Sequence, residues 1–286
     1  MKGPPVPISA DFYLSVLAAK AVLPPLLMVV RPNADNGAVE GLGVPLRTDA
    51  QKEDLAKPIE RGIYAISTPD QKTVLKVRVF SKEEAYFDPD SVLSSSIAER
   101  LDPEIRDRIR STWTILQLTF EAYDPKLYPA LDFMLNVASR LGVLTEGVIA
   151  DPLAGQYRLP ESLPSPRDEK EKFDVRDFVT VQSRMTTEGL SLVTAGLAKF
   201  GQPELAISMV PQTWSNVADN LLLSAAAGVM KGKTLDPGDV LFAYQGWFVS
   251  EAASSGPTWD GAKVLEFLPL KGSVDDTFTE WANANK

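Results

Sequence analysis

The sequence contains no cysteine and no histidine among its 286 residues. The lack of cysteine excludes disulfides, thiol nucleophiles, thiolate-bound zinc and iron–sulfur clusters. The lack of histidine removes imidazole, the commonest general base and metal ligand. Catalysis is therefore restricted to carboxylate, lysine, tyrosine or hydroxyl chemistry, with carboxylate-bound magnesium, calcium or manganese as the remaining metal option. We expect no cofactor, no resident metal and a cytoplasmic location.

The chain also lacks a dense run of basic residues. Its 29 basic and 38 acidic residues give a net charge of −9, which opposes binding to nucleic-acid phosphates or to an anionic membrane surface. We therefore expect neither nucleic acid nor a membrane as partner. An acidic surface suits a basic protein partner instead. The sequence does not indicate an oligomeric state.

No uninterrupted apolar stretch is long enough to span a membrane. The most apolar stretch, residues 12–30, is broken by Lys20 and by Pro24-Pro25. We interpret it as a short helix followed by a strand at residues 26–30 (LLMVV), and the alternative is a secretory signal peptide. Residues 33–44 (NADNGAVEGLGV) indicate a turn-rich loop.

The best-specified segment of the chain covers residues 113–152. Alternating residues from Ile115 to Ala122 predict a strand with one apolar face. Apolar residues then recur at intervals of three and four, as is typical of an amphipathic helix. They are Leu131, Met134, Leu135, Ala138 and Leu141. Residues 147–150 predict a second, short strand.

The pattern of elements predicts an α+β fold with two lobes, each a mainly antiparallel sheet packed against helices. Prolines and mixed charges in PESLPSPRDEKEK indicate a linker, so we place an N-terminal lobe at 1–160, the linker at 161–172 and a C-terminal lobe at 173–286. The second lobe is predicted to contain three strands, a helix that follows Pro211, three further strands and a polar tail.

Three segments resemble uncharacterised bacterial conserved proteins of unknown function. They are TAGLAKFGQPEL (194–205), PALDFMLNVASRLG (129–142) and GVIADP (147–152). The resemblance covers about a third of the chain. It implies a bacterial setting, and it brings no activity.

Three acids are the candidate catalytic residues. Glu121 and Asp124 end the predicted central strand, and Asp151 ends the strand that returns. If these strands were parallel neighbours, the carboxylates would share one edge of the sheet and serve as a metal site or an acid–base pair. The other interpretation is structural, because Asp-Pro pairs are a habitual turn and cap device in this chain. They begin at Asp88, Asp102, Asp124, Asp151 and Asp236.

Further candidates lie in the second half. Lys199 is a candidate binding residue or Schiff-base nucleophile, although its turn context favours an exposed side chain. Tyr244, Trp247 and Trp259 are a candidate partner or carbohydrate platform, with core packing as the favoured alternative. Residues 228–234 (GVMKGKT) resemble a phosphate-binding loop but have one residue too few and follow a helix, which favours a glycine-rich helix end.

These observations favour a non-enzymatic intracellular interaction or accessory protein that presents an acidic surface to a basic partner. The alternative is a carboxylate-based hydrolase, with or without a divalent metal, built on Glu121, Asp124 and Asp151. The first hypothesis rests on exclusion and on charge. The second requires those carboxylates to meet in a cleft.

Overall fold

The chain divides into two compact units. The computed structural model describes residues 6–31, 38–45, 52–95, 97–124, 128–164, 174–241, 246–251 and 263–284. The described residues between 10 and 171 form the first unit, and those of 4–9 and 172–286 form the second. The predicted N-terminal lobe included residues 6–9, whereas the structure assigns them to the second unit, where Val6 and Ile8 are buried. Most of the predicted linker, from residue 165 onward, lies outside the described residues.

The first unit is built on a seven-stranded sheet. Its described strands are β1 (Tyr13–Ala18), β2 (Val30–Arg31), β3 (Val39–Glu40), β4 (Leu42–Pro45), β5 (Gly62–Ser67), β6 (Val74–Ser81), β7 (Thr114–Ala122), β8 (Val148–Asp151) and β9 (Gln156–Arg158). Its described helices are α1 (Leu26–Val29), α2 (Pro89–Leu93), α3 (Pro103–Arg110) and α4 (Tyr128–Thr145). The order β4-β5-β6-β7-β1-β8-β9 is antiparallel at every step, and β2 and β3 form a separate parallel pair.

The two faces of this sheet differ in what covers them. Residues alternate between faces along each strand. Leu14, Val16 and Leu118 point to the face on which α4 packs, and all three are buried. The opposite face is covered at one end by α3, whose Ile109 joins a cluster with Leu17, Ile115, Val148 and Ala150. No described element of this unit covers the rest of that face, which we call the open face and which becomes the candidate site below.

The predicted strand, turn, helix and strand over residues 113–152 are confirmed as β7, α4 and β8. Two of the aspartates that precede proline also act as predicted. Asp88 and Asp102 accept the backbone N–H groups of Asp90 and Glu104, and each caps the helix that its proline opens.

The order of helix and strand near the N-terminus was predicted wrongly. Residues 13–18 form the central strand β1, and LLMV forms the short helix α1 after Pro25. The run YLSVLA contains residues that favour helices, but pairing on both edges, with β7 and β8, overrides that propensity. The predicted loop at 33–44 is also wrong in part, because β3 and the start of β4 lie within it.

The second unit contains a six-stranded sheet. Its strands are β10 (Thr180–Thr186), β11 (Gly189–Ala195), β12 (Glu204–Val210), β13 (Val240–Leu241), β14 (Trp247–Glu251) and β15 (Val264–Pro269), in the order β10-β11-β12-β15-β14-β13. Two helices, α5 (Ser215–Met230) and α6 (Val274–Ala284), pack against it. One pair, β12 with β15, is parallel and the others are antiparallel, so the predicted α+β fold is confirmed.

The predicted polar tail is wrong, because it contains helix α6. Ser273 and Asp276 form a reciprocal cap in which Asp276 N donates to Ser273 Oγ and Ser273 N donates to Asp276 Oδ2. Phe278 is completely buried and fixes this helix to the core. The hydrogen bonds that Ser273 N and Ser273 Oγ donate to Asp276 Oδ2 lower the pKa of the Asp276 carboxyl. The capping pattern was present in the sequence as Ser-Val-Asp-Asp.

Gly196 should be among the least replaceable residues of the second unit. Its φ is +123°, and an added Cβ would lie 2.2 Å from the carbonyl oxygen of Phe178. Gly238 is the matched control, since its φ is +104° but an added Cβ meets nothing within 4 Å. We expect Gly238→Ala to cost about 1–3 kcal/mol through backbone strain alone, and Gly196→Ala to cost clearly more. Urea unfolding measures both, and equal losses would contradict this explanation.

Candidate functional site

The open face of the first sheet begins at the edge strand β4. On this strand the usual distribution of side chains, with apolar residues toward the core and charged residues toward solvent, is inverted. Leu42 and Val44 point outward and are 45% and 49% exposed. Between them, Gly43 points inward, where a Cβ would lie 2.8 Å from Leu26 of α1. Edge strands normally expose charged residues, which prevent contact with other chains. Here the aliphatic side chains face solvent and the core-facing position carries no side chain.

Strand β5 extends this apolar surface. Val44 pairs with Ala65, and two residues earlier Ile63 lies on the same face and is 36% exposed. We call Leu42, Val44 and Ile63 the β4–β5 patch. Branched side chains on adjacent strands of one face form contiguous surface rather than scattered contacts. Contiguous exposed apolar surface is typical of interaction sites.

A cationic strip on β6 borders the patch. Ile63 pairs with Arg78, and Ala65 pairs with Lys76, so both cations lie on the open face. Lys76 Nζ is 2.5 Å from Glu121 Oε2 on β7, so this charge is already paired. Arg78 is exposed, and within the described part of the chain it has neither a hydrogen bond nor an ion pair. The patch is therefore flanked by one guanidinium that remains available to a partner.

The structure does not bring the candidate catalytic acids together. Strands β7 and β8 are parallel, as the hypothesis required, but β1 lies between them. Glu121 binds Lys76 on the open face, whereas Asp151 is buried on the α4 face, where its Oδ1 accepts Ala154 N. Asp124 is exposed beyond the end of β7. Glu121 and Asp151 thus lie on opposite faces of the sheet.

Lys199 is buried, so the expectation of an exposed side chain is wrong. None of its surface is accessible, and its Nζ lies 5.6 Å from the centroid of the Phe178 ring. Its backbone oxygen accepts Ser9 N at 2.7 Å, which fixes the N-terminal segment to this turn. Lys199 is a core residue in this structure.

Glu204 explains why the turn around Lys199 is ordered. Its Oε1 accepts the N–H groups of Gly196 and Ala198 at 2.9 and 3.0 Å, and its Oε2 accepts Thr194 Oγ1 at 2.7 Å. Thr194 Oγ1 in turn accepts Leu205 N. Burial raises the pKa of the Glu204 carboxyl, and the hydrogen bonds and the nearby Lys199 offset part of that rise. The segment TAGLAKFGQPEL is therefore a turn folded around a buried carboxyl group.

Of the three aromatic candidates, the structure describes Trp247 alone. Its side chain is fully buried, and its ring centroid lies 5.1 Å from that of Phe278 on α6. Trp247 therefore belongs to the core, which was the favoured interpretation. Tyr244 and Trp259 lie outside the described residues.

The segment that resembles a phosphate loop ends a helix rather than opening one. Gly228 lies in the last turns of α5, and its carbonyl oxygen accepts Lys231 N and Lys233 N. Phosphate loops present N–H groups at a helix N-terminus, so this geometry is reversed. The interpretation as a glycine-rich helix end is confirmed.

Two further properties concern the described residues as a whole. No group of three or more Asp and Glu side chains among them is arranged to hold a metal ion. No helix in the described ranges has both the length and the apolar character needed to cross a membrane.

Comparison with known proteins yields no relative. No family model, no curated protein and no solved structure matches the chain. The functional assignment therefore depends on the geometry of this molecule.

Sequence reasoning missed the β4–β5 patch. The signal was the alternation in Gly-Leu-Gly-Val-Pro, residues 41–45, which has the period of a strand. The glycines made the segment resemble a loop. The structure shows instead that both glycines are in close contact with the core. A Cβ at Gly41 would lie 2.6 Å from the Ser67 carbonyl oxygen and 3.3 Å from Phe133 of α4, and Gly43 faces Leu26 of α1.

The raised pKa of Glu204 predicts a pH dependence of stability. Because the folded state holds this proton more tightly than the unfolded chain, the stabilisation is complete below the ordinary pKa of 4.5 and is lost as the pH rises through the folded-state value. Glu204→Gln removes the titration. We expect the free energy of unfolding of the wild type, relative to this variant, to be largest below pH 4.5 and to decline toward neutrality. Denaturant titrations across this range measure it, and an increase with pH would contradict the assignment.

Proposed function

We propose that this protein is a non-enzymatic interaction protein that binds another protein through the β4–β5 patch. One observation carries the proposal: β4 exposes Leu42 and Val44 while glycine occupies the core-facing position between them. Exposing two aliphatic side chains at a sheet edge favours aggregation unless a partner covers them. Their position on one face, beside Ile63, supports a binding surface.

The flanking charge indicates the chemistry of the partner. Interface centres are enriched in apolar residues and arginine, and a guanidinium binds carboxylate oxygens with defined geometry. Arg78 lies directly beside Ile63 across the β5–β6 pair. A partner that places aliphatic side chains on the patch and a carboxylate at Arg78 satisfies both features.

This local chemistry differs from the acidic contact surface expected from composition. The net charge of −9 favours association with a basic protein at long range, since it acts over the whole surface. The charged group beside the patch is nevertheless cationic. The basic partner remains a prediction that rests on the net charge, whereas the patch supports contact with an apolar segment that carries an acid.

The test uses three charge substitutions. Val44→Glu places a carboxylate in the patch, Arg78→Glu reverses the flanking charge, and Val143→Glu is the control on α4, where Val143 is 52% exposed and lies outside the patch. The wild-type chain is used to isolate a bound protein, and the affinity of that purified protein is then measured for each variant. We expect Val44→Glu to weaken binding by at least about thirtyfold, as loss of an interface anchor does.

Arg78→Glu should also weaken binding, and Val143→Glu should leave it unchanged. The salt dependence provides a second readout, because the contribution of Arg78 is screened as ionic strength rises. Binding that survives both patch substitutions, or that Val143→Glu reduces equally, would show that the partner docks elsewhere.

A further inference from the structure

A pocket of about 280 Å³ lies in the second unit, between α5 and β13. Its helix wall consists of Leu221, Ala225 and Gly228, which recur at intervals of three and four and share one side of α5. Leu221 is almost completely buried, and Ala225 and Gly228 are partly exposed. The absence of a side chain at Gly228 helps to keep the space open, since a Cβ there would meet one atom, Lys233 Cδ, at 3.7 Å.

Two polar groups belong to this otherwise apolar wall. Ser224 lies on the same side of α5, and Lys233 follows the helix. Three of the last four carbonyl oxygens of α5, those of Ala227, Gly228 and Val229, accept backbone N–H groups of residues 231–233. The Lys233 side chain caps none of these carbonyls, and among the described residues its ammonium has no hydrogen bond or ion pair.

We propose that this pocket binds a small amphipathic carboxylate, with an aliphatic chain on Leu221 and Ala225 and its carboxylate at Lys233. An apolar wall with few polar groups is the usual composition of a small-molecule site. Lys233 supplies the complementary charge, and the Ser224 hydroxyl supplies a second donor. A binding site here gives a role to Gly228 and Lys233. Both lie in GVMKGKT, the segment that does not have the geometry of a phosphate loop. It is independent of the β4–β5 patch, so either proposal can fail alone.

The test measures decanoate binding to the full chain by calorimetry, with decanol as a probe that has the same chain and no charge. Lys233→Met should weaken decanoate binding by about fivefold, the upper range for a partly exposed ion pair, and leave decanol unchanged. Lys231→Met is the matched control, because Lys231 is equally cationic, exposed and adjacent but does not line the pocket. It should have no effect on either probe.

Ala225→Leu fills the pocket from the helix side and should weaken both probes by about tenfold or more. Circular dichroism establishes that this variant is folded, and the surface variant Lys233→Met provides the test if it is not. Three outcomes would overturn the proposal: no decanoate binding to the wild type, equal effects of Lys233→Met and Lys231→Met, or binding insensitive to both Lys233→Met and Ala225→Leu.

Discussion

The pairing of β1 between β7 and β8 is the constraint on which the first unit depends. Once β1 lies there, the alternation of side chains assigns every residue of the neighbouring strands to one of two faces. The face that holds Leu14 and Leu118 is the core beneath α4. On the other face, α3 covers the end near Leu17 and leaves the region around Arg78 uncovered. The same pairing separates Glu121 from Asp151, since it inserts a strand between theirs and places their side chains on opposite faces.

In the second unit, the buried carboxyl of Glu204 determines the structure of one turn, as the pairing of β1 determines the arrangement of the first sheet. A buried polar group is costly unless it is hydrogen-bonded. Glu204 accepts one hydrogen bond from Thr194 at the end of β11 and two from the turn that follows. That turn requires a glycine at position 196, because a Cβ there would collide with the Phe178 carbonyl oxygen. The segment with the most distinctive sequence is thus explained by folding. The two proposed binding sites lie in segments whose sequence is less distinctive, at β4 and beside the last turns of α5.

Much of the fold could be predicted because the local periodicity of apolar residues indicated the same helices and strands that tertiary packing stabilises. Helix α4 was predictable from five apolar residues at helical spacing, and α2 and α3 from Asp-Pro pairs that act as caps. The failures occurred where packing overrides local preference. β1 is a strand because it is paired on both edges, and β4 contains Gly43 because helix α1 approaches it closely. The candidate site could not be predicted, since a patch assembled from residues 42, 44 and 63 exists only after β4 and β5 have paired.

The most direct test of the central claim compares the exposure of the β4–β5 patch in two environments. Carbene footprinting labels accessible side chains, so it can be applied to the purified protein and to the same protein in a lysate of its native cells. If a partner covers the patch, Leu42, Val44 and Ile63 should be labelled less in the lysate, while Val143, which is exposed on α4, should be labelled equally in both. Equal labelling of the patch in both environments would contradict the account, because it would mean that these aliphatic side chains face solvent where the protein acts.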